Sequence, residues 1–233
     1  MHRRDFRSLT RMQVRRIIRL WPPAPTLMTL LLLIRHGEND YSKKRRLPGQ
    51  QPGIHLNERG LEQAAALAES LKVLPIRAIY SSPLERAVET AAPLAAALGL
   101  EIMPRPELMD SNVGEWTGRP LKRLGRLKAW KLVQQAPSRF QFPDGESFRE
   151  TQNRILDALD AVVAAHKKEM AAVVFHADPI KLAVAYYLGL PLDYFQRLVV
   201  FTGSVTILSL GGPAPALLGF NLLPPFQLPK FDM

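Results

Sequence analysis

Cysteine is missing from the chain. Its absence excludes disulfides, thiolate metal sites and thiol nucleophiles, and it suits a reducing, cytoplasmic setting. Long apolar runs are missing too. A membrane-spanning helix needs roughly 20 apolar residues, and the best stretch, "LMTLLLLI" at 27–34, is far shorter. It also follows "WPPAP" and is not followed by a small-residue cleavage site, so it does not read as an export signal. No internal repeat is present. Acidic residues are scarce beside basic ones, 21 against 31, for a net charge of +10.

That charge is uneven. Residues 1–27 hold seven arginines against Asp5, a net of +6, and the other 24 basic and 20 acidic residues net only +4. A basic face on a folded domain would mark a nucleic-acid binder, whereas a short arginine-rich arm marks a solvated terminus. The expectation is therefore no nucleic-acid partner and no membrane. Val14, Ile17, Ile18 and Trp21 share helical spacing, which leaves a membrane-surface helix as the competing reading of the arm. Residues 1–27 are read as a dispensable, disordered extension or a misassigned start.

What is present is a regular alternation. "TLLLLI" (29–34), "IRAIY" (76–80) and "AAVVF" (171–175) read as short buried strands, with a weaker one at 101–103. Between them lie stretches with helical start and stop signals: Asn57 before "ERGLEQAAALAESLKVL", Ser81 or Ser82 with Pro83 before "LERAVETAAPLAAALG", and Ser147 with Glu150 as a capping box. "SVTILSL" and "ALLGFNLL" close the chain as a hairpin. Strands alternating with helices predict a three-layer α/β/α sandwich with a mostly parallel, mixed sheet. The catalytic domain is expected over 28–233, with a basic insertion or lid at about 119–143. "GGPAPALLGF" offers an edge strand, so a homodimer is an option.

Two strands finish alike. "LLLIRHGE" puts Arg35 and His36 just past the first, and "AVVFHADP" puts His176 just past another. If these strands are parallel, their carboxyl ends share one edge, where open α/β sheets bind ligands. "SSPLERAVETA" brings Arg86 to the same edge, in the first turns of a helix. Two arginines, two imidazoles and a helix N-terminus suit a phosphate group. Singly, each residue has a duller reading: a hydrogen-bonded histidine at a strand end, or an arginine paired on the surface with Glu85 or Glu89. His2, His55 and His166 have no motif around them and read as surface or structural. Trp116 and Trp130 read as packing residues or lid contacts. His36, His55 and Asp110 lack zinc-ligand spacing.

"LIRHGEND", "GIHLNERGLEQA", "SSPLERAVETA", "VGEWTG" and "FPDGESF", in that order and with a later strand ending in histidine, resemble the histidine phosphatase superfamily, the phosphoglycerate-mutase-like fold. The resemblance covers Met28 to about residue 210. It implies that His36 is the nucleophile that takes the phosphoryl group. Arg35, Arg86, His176 and Asn39 would hold the phosphate oxygens, and neither metal nor cofactor would be needed. The family's proton donor is a glutamate four positions before the glycine of the "VGEWTG" segment. Counting back from Gly114 gives Asp110, a departure by one methylene, with Glu107 and Glu115 as alternatives. The implied activity is hydrolysis of small anionic phosphomonoesters through phosphohistidine. A phosphomutase (an isomerase) is the alternative, disfavoured because "DSNVGEWTGRP" is shorter than the loop that mutases of the family typically carry. A non-catalytic phosphoryl-ligand binder is the third reading. The substrate partner would be a small phosphorylated metabolite, selected by Lys43, Lys44, Arg45, Arg46, Lys122, Arg123 and Arg126.

Overall fold

The computed structural model describes residues 28–225, so the readings placed on 1–27, His2 included, lie outside the described residues. Six strands form one sheet: β1 (Thr29–Arg35), β2 (Ile76–Ser81), β3 (Ile102–Pro104), β4 (Met170–Phe175), β5 (Val205–Leu210) and β6 (Ala216–Leu222). Their order is β3-β2-β4-β1-β5-β6. β3, β2, β4 and β1 are mutually parallel, and β5 and β6 each pair antiparallel with the strand before them in that order. The expected mixed, mostly parallel sheet is what forms.

Among the described residues seven α-helices accompany the sheet: α1 (Asp40–Lys43), α2 (Glu58–Leu71), α3 (Glu85–Leu98), α4 (Leu121–Leu124), α5 (Lys128–Gln135), α6 (Phe148–Ala165) and α7 (Ala177–Tyr187). Because side chains alternate across a strand, Leu30, Leu32 and Ile34 of β1 face one way and meet Leu67 and Leu71 of α2 and Ala91 and Leu94 of α3. Leu31 and Leu33 face the other way and meet Ile155 and Leu159 of α6 and Ile180 and Ala183 of α7. A strand buried on both faces reads as an unbroken apolar run, as β1 does. Leu31, Leu32 and Leu33 have no exposed surface, which stabilises the fold by about 1.5–3 kcal/mol for each side chain.

The helix starts follow local chemistry. Asn57 accepts a hydrogen bond from the Gly60 amide at 2.9 Å and caps α2. Ser147 and Glu150 form the expected capping box on α6. α3 departs from expectation: it begins at Glu85 with no side-chain cap, because Leu84 stands at the N-cap position, while the Ser82 hydroxyl meets His176 and accepts from the Leu84 amide at 3.4 Å. Gly99 ends that helix in the left-handed conformation, φ 65°.

Residues 119–143 fold as α4 and α5, separated at Gly125, and carry their own core. Trp116, Phe140, Phe142, Phe148 and Phe195 are buried together with Leu124 and Val133. Phe148 and Phe195 approach to 4.8 Å between ring centroids, and Phe140 and Phe142 to 4.9 Å. Among the described residues no helix is long and apolar enough to cross a membrane.

Candidate active site

Register sets the site. Arg35 lies opposite Phe175 and Ser81 opposite Val174, so the residues that follow, Ser82, His176 and His36, stand side by side across the carboxyl edge of β2, β4 and β1. Gly37 is required there by space: a Cβ on it would lie 2.6 Å from the Gly60 carbonyl oxygen of α2. This close approach joins the first motif to the second.

His36 is 4% exposed. Its Nδ1 lies 2.7 Å from the Gly37 carbonyl oxygen, an acceptor, so Nδ1 carries the proton and Nε2 keeps its lone pair. Burial pushes its pKa well below the usual imidazole range, and Arg35 and Arg86 push it further the same way. The ring is a neutral imidazole at physiological pH. His176 sits 5.2 Å away between centroids at 60°, has no exposed surface, and is held neutral by burial first and by Arg86 next. Its Nε2 lies 2.9 Å from the Ser82 hydroxyl. Its Nδ1 is buried with no protein partner, 3.9 Å from Asp110 Oδ2.

The two guanidinium groups are fixed by backbone oxygens instead of carboxylates. Arg86, fully buried, donates to the carbonyls of Gly49 at 2.7 Å and Gln51 at 3.2 Å. Arg35 donates to the Val200 carbonyl at 2.6 Å. Their Nε atoms and the Asn39 Nδ2 are buried without partners. Arg86 thus does not pair with the glutamates near it in sequence: Glu89 instead meets His55 at 2.5 Å on the surface. Asn39 caps α1 through its Oδ1, which leaves the Nδ2 donor free. Unpartnered buried donors beside uncompensated positive charge are costly, and they form a ready receptor for an anion.

Arg35, His36, Asn39 and Asp110 line one cavity of about 380 Å³. Of the three acidic candidates, Asp110 is the one that lines it. Glu115 does not, and Glu107 lines a different cavity beside Tyr80 and Arg105. Burial pushes the Asp110 carboxyl up to about 6, with Asp178 reinforcing and Arg86 and Arg35 opposing. The far walls are apolar, with Leu47, Leu121, Trp130, Val133 and Phe142, so α4 and α5 roof the site. Of the seven cations expected to select the substrate, Arg45 and Arg46 line the cavity and the other five do not. Lys181, on the helix expected after His176, and Gln196 line the cavity as well, and neither was singled out by the sequence.

The model of the histidine phosphatase superfamily (branch 1) matches residues 31–223. The chain belongs to that family. This histidine phosphatase is 28% identical over 197 residues to phosphoserine phosphatase 1 of Hydrogenobacter thermophilus, covering 84% of this chain and 93% of that one. It is 27% identical over 182 residues to the 2,3-bisphosphoglycerate-dependent phosphoglycerate mutase of Thermoplasma acidophilum, covering 78% and 87%. Among solved structures, Bacillus stearothermophilus YhfR superposes with a TM-score of 0.76 at 30% identity, covering 81% of this chain and 95% of that one.

Several parts of the histidine phosphatase site escaped the sequence reading: the Ser82 hydroxyl on His176, the Gly49 and Gln51 carbonyls on Arg86, and the Arg154–Glu146 pair under the Asp110 loop. Glu146 does lie inside the "FPDGESF" motif, and that was the available signal for it. Backbone acceptors leave none.

Proposed function

We propose that this histidine phosphatase hydrolyses small anionic phosphomonoesters through a phosphohistidine formed on His36. The observation that carries the reading is the neutral His36, with Nδ1 fixed on Gly37 and Nε2 left for the phosphoryl group, under the positive charge of the buried Arg86 and the half-buried Arg35. Phosphoryl transfer needs positioning and charge neutralisation above all. In this reading Arg35, Arg86, the Asn39 Nδ2 and the His176 Nδ1 hold the phosphoryl oxygens. Nε2 attacks phosphorus in line, the N–P bond forms and the ester P–O bond breaks. Asp110, protonated, gives its proton to the departing alkoxide. Water then attacks the phosphohistidine, Asp110 takes its proton, and orthophosphate leaves.

The apolar far wall and the Arg45 and Arg46 rim favour a leaving group with a short carbon frame and a second anionic group. The mutase reading draws on the Thermoplasma relative. It predicts that 3-phosphoglycerate with a trace of its bisphosphate is isomerised, whereas the phosphatase reading predicts release of orthophosphate without isomerisation.

The test is His36→Ala assayed with para-nitrophenyl phosphate and with alkyl phosphates. Turnover should vanish for both, and the acid-labile phosphoenzyme trapped from the native protein should be missing. Turnover near the native rate in His36→Ala overturns the nucleophile.

A further inference from the structure

One guanidinium group carries the Asp110 loop. Arg154, on the second turn of α6 and half-buried, donates to the carbonyl oxygens of Glu107 at 2.5 Å, Met109 at 3.1 Å and Asp110 at 3.3 Å. Its Nε and Nη2 form a fork on Glu146, at 3.0 Å to Oε1 and 2.9 Å to Oε2. Glu146 in turn accepts from the Asn112 amide at 2.9 Å and the Thr151 hydroxyl at 3.0 Å. Gln50 adds a second donor to the Asp110 carbonyl, at 2.8 Å. The backbone on both sides of Asp110 therefore hangs from one ion pair rooted in a long helix. Residues 109–112 have no regular secondary structure of their own to fix them.

We infer that the Arg154–Glu146 pair is a positioning device for the proton donor: it sets where the Asp110 carboxyl stands relative to the leaving oxygen and does not itself touch substrate. The inference rests on the reading of Asp110 as general acid. Arg154 and Glu146 spend their polar atoms on each other, on the 107–112 backbone and on Thr151, so direct action on the phosphate is not their part. An aspartate has little reach, so the loop must bring the carboxyl to the leaving oxygen. A bidentate arginine fixes position in a way that a lysine point charge does not. Misplacing a reacting group by about 1 Å costs on the order of a hundredfold.

The experiment compares Arg154→Met, Arg154→Lys, Glu146→Gln and Asp110→Asn, singly and with Arg154→Met added to Asp110→Asn. Each is read with an alkyl phosphate, whose alkoxide needs a proton, and by the para-nitrophenol burst, whose phenolate leaves unaided. Thermal unfolding shows that each variant is folded. Arg154→Met is expected to lower kcat/KM for the alkyl ester by about 10- to 100-fold, with the aryl burst changed less than threefold. Arg154→Lys and Glu146→Gln should fall in between, and Arg154→Met should add less than twofold on the Asp110→Asn background. If Asp110→Asn separates the esters and neither Arg154→Met nor Glu146→Gln does, the acid stands and the positioning role falls. If Asp110→Asn slows both esters alike, the acid itself is misassigned and the inference falls with it. Full additivity of the two substitutions also overturns it, since it would make Arg154 act apart from Asp110.

Discussion

His36 and His176 meet edge to face, centroids 5.2 Å apart, as two neutral imidazoles. Burial keeps both well below the ordinary imidazole range, and the neighbouring arginines add to it. One can offer a lone pair and the other a hydrogen-bond donor without either first losing a proton. Asp110, 3.9 Å from His176, is displaced in the opposite direction, so the three groups reach their working protonation states together in mildly acidic solution.

The pH profile follows. In the proposed mechanism Asp110 must be protonated to donate, and burial raises its carboxyl to about 6. Above that pH, kcat/KM for an alkyl phosphate should fall about tenfold per unit once the ester's own ionisation near pH 6 is corrected for. Asp110→Asn should flatten this limb, and protonation of His36 should produce no loss until well below pH 6.5. A stopped-flow pH series on both proteins checks this.

The same displacement bears on stability. Asp110 has a folded-state pKa raised from 3.8 to about 6, so the native state binds a proton more tightly than the unfolded chain. Its favourable contribution is present below pH 3.8 and is lost as pH rises to about 6. Asp110→Asn should then stabilise the protein at pH 8 by roughly 2–3 kcal/mol, about 5–10 °C in Tm, and much less at pH 4. Calorimetry at the two pH values decides it.

Anion binding should relieve the unpartnered donors. Orthophosphate at about 100 times its Kd should stabilise the native state by about 2.7 kcal/mol, several degrees in Tm. In Arg86→Met this shift should be nearly abolished, because the guanidinium proposed to hold the phosphate, and seen to hold the 49–51 loop, is gone. A phosphate titration followed by thermal shift measures both, and an undiminished shift in the variant would remove Arg86 from the anion site.

Gly114 has φ +49°, and a Cβ there would overlap the Pro143 carbonyl oxygen. Gly114→Ala should cost roughly 2–4 kcal/mol by clash and backbone strain. It should also reduce alkyl phosphate turnover at least tenfold by displacing the loop that leads back to Asp110. Urea unfolding and steady-state rates report the two effects separately.

Sequence pattern carried the site as far as strand ends can. Arg35, His36 and His176 were legible because an apolar run that stops at a charged or titratable residue marks the edge of a parallel sheet. Arg86 was legible because it opens the helix after such a run. The choice among Asp110, Glu107 and Glu115 was not legible. It depends on which way each side chain leaves an irregular loop, and no periodicity governs that. The side chains that 119–143 turns to the cavity were not legible for a related reason: charge along a segment says nothing of which face the segment presents, and Leu121, Trp130 and Val133 of α4 and α5 line the cavity where Lys122, Arg123 and Arg126 do not. The partners of Arg86 are carbonyl oxygens, which every residue possesses and no sequence reveals.

β1, which leads into His36, is flanked in the sheet by β4 and β5, both from the last third of the chain. During synthesis the first strand therefore leaves the ribosome with neither neighbour available, and its leucine run must wait for most of the polypeptide before it can pair. Such non-local closure makes folding slow and leaves a sticky apolar segment uncovered meanwhile. Catalytic competence and the burial of that segment both wait on the last third of the chain, so a nascent chain interrupted before residue 170 should be both inert and prone to aggregate.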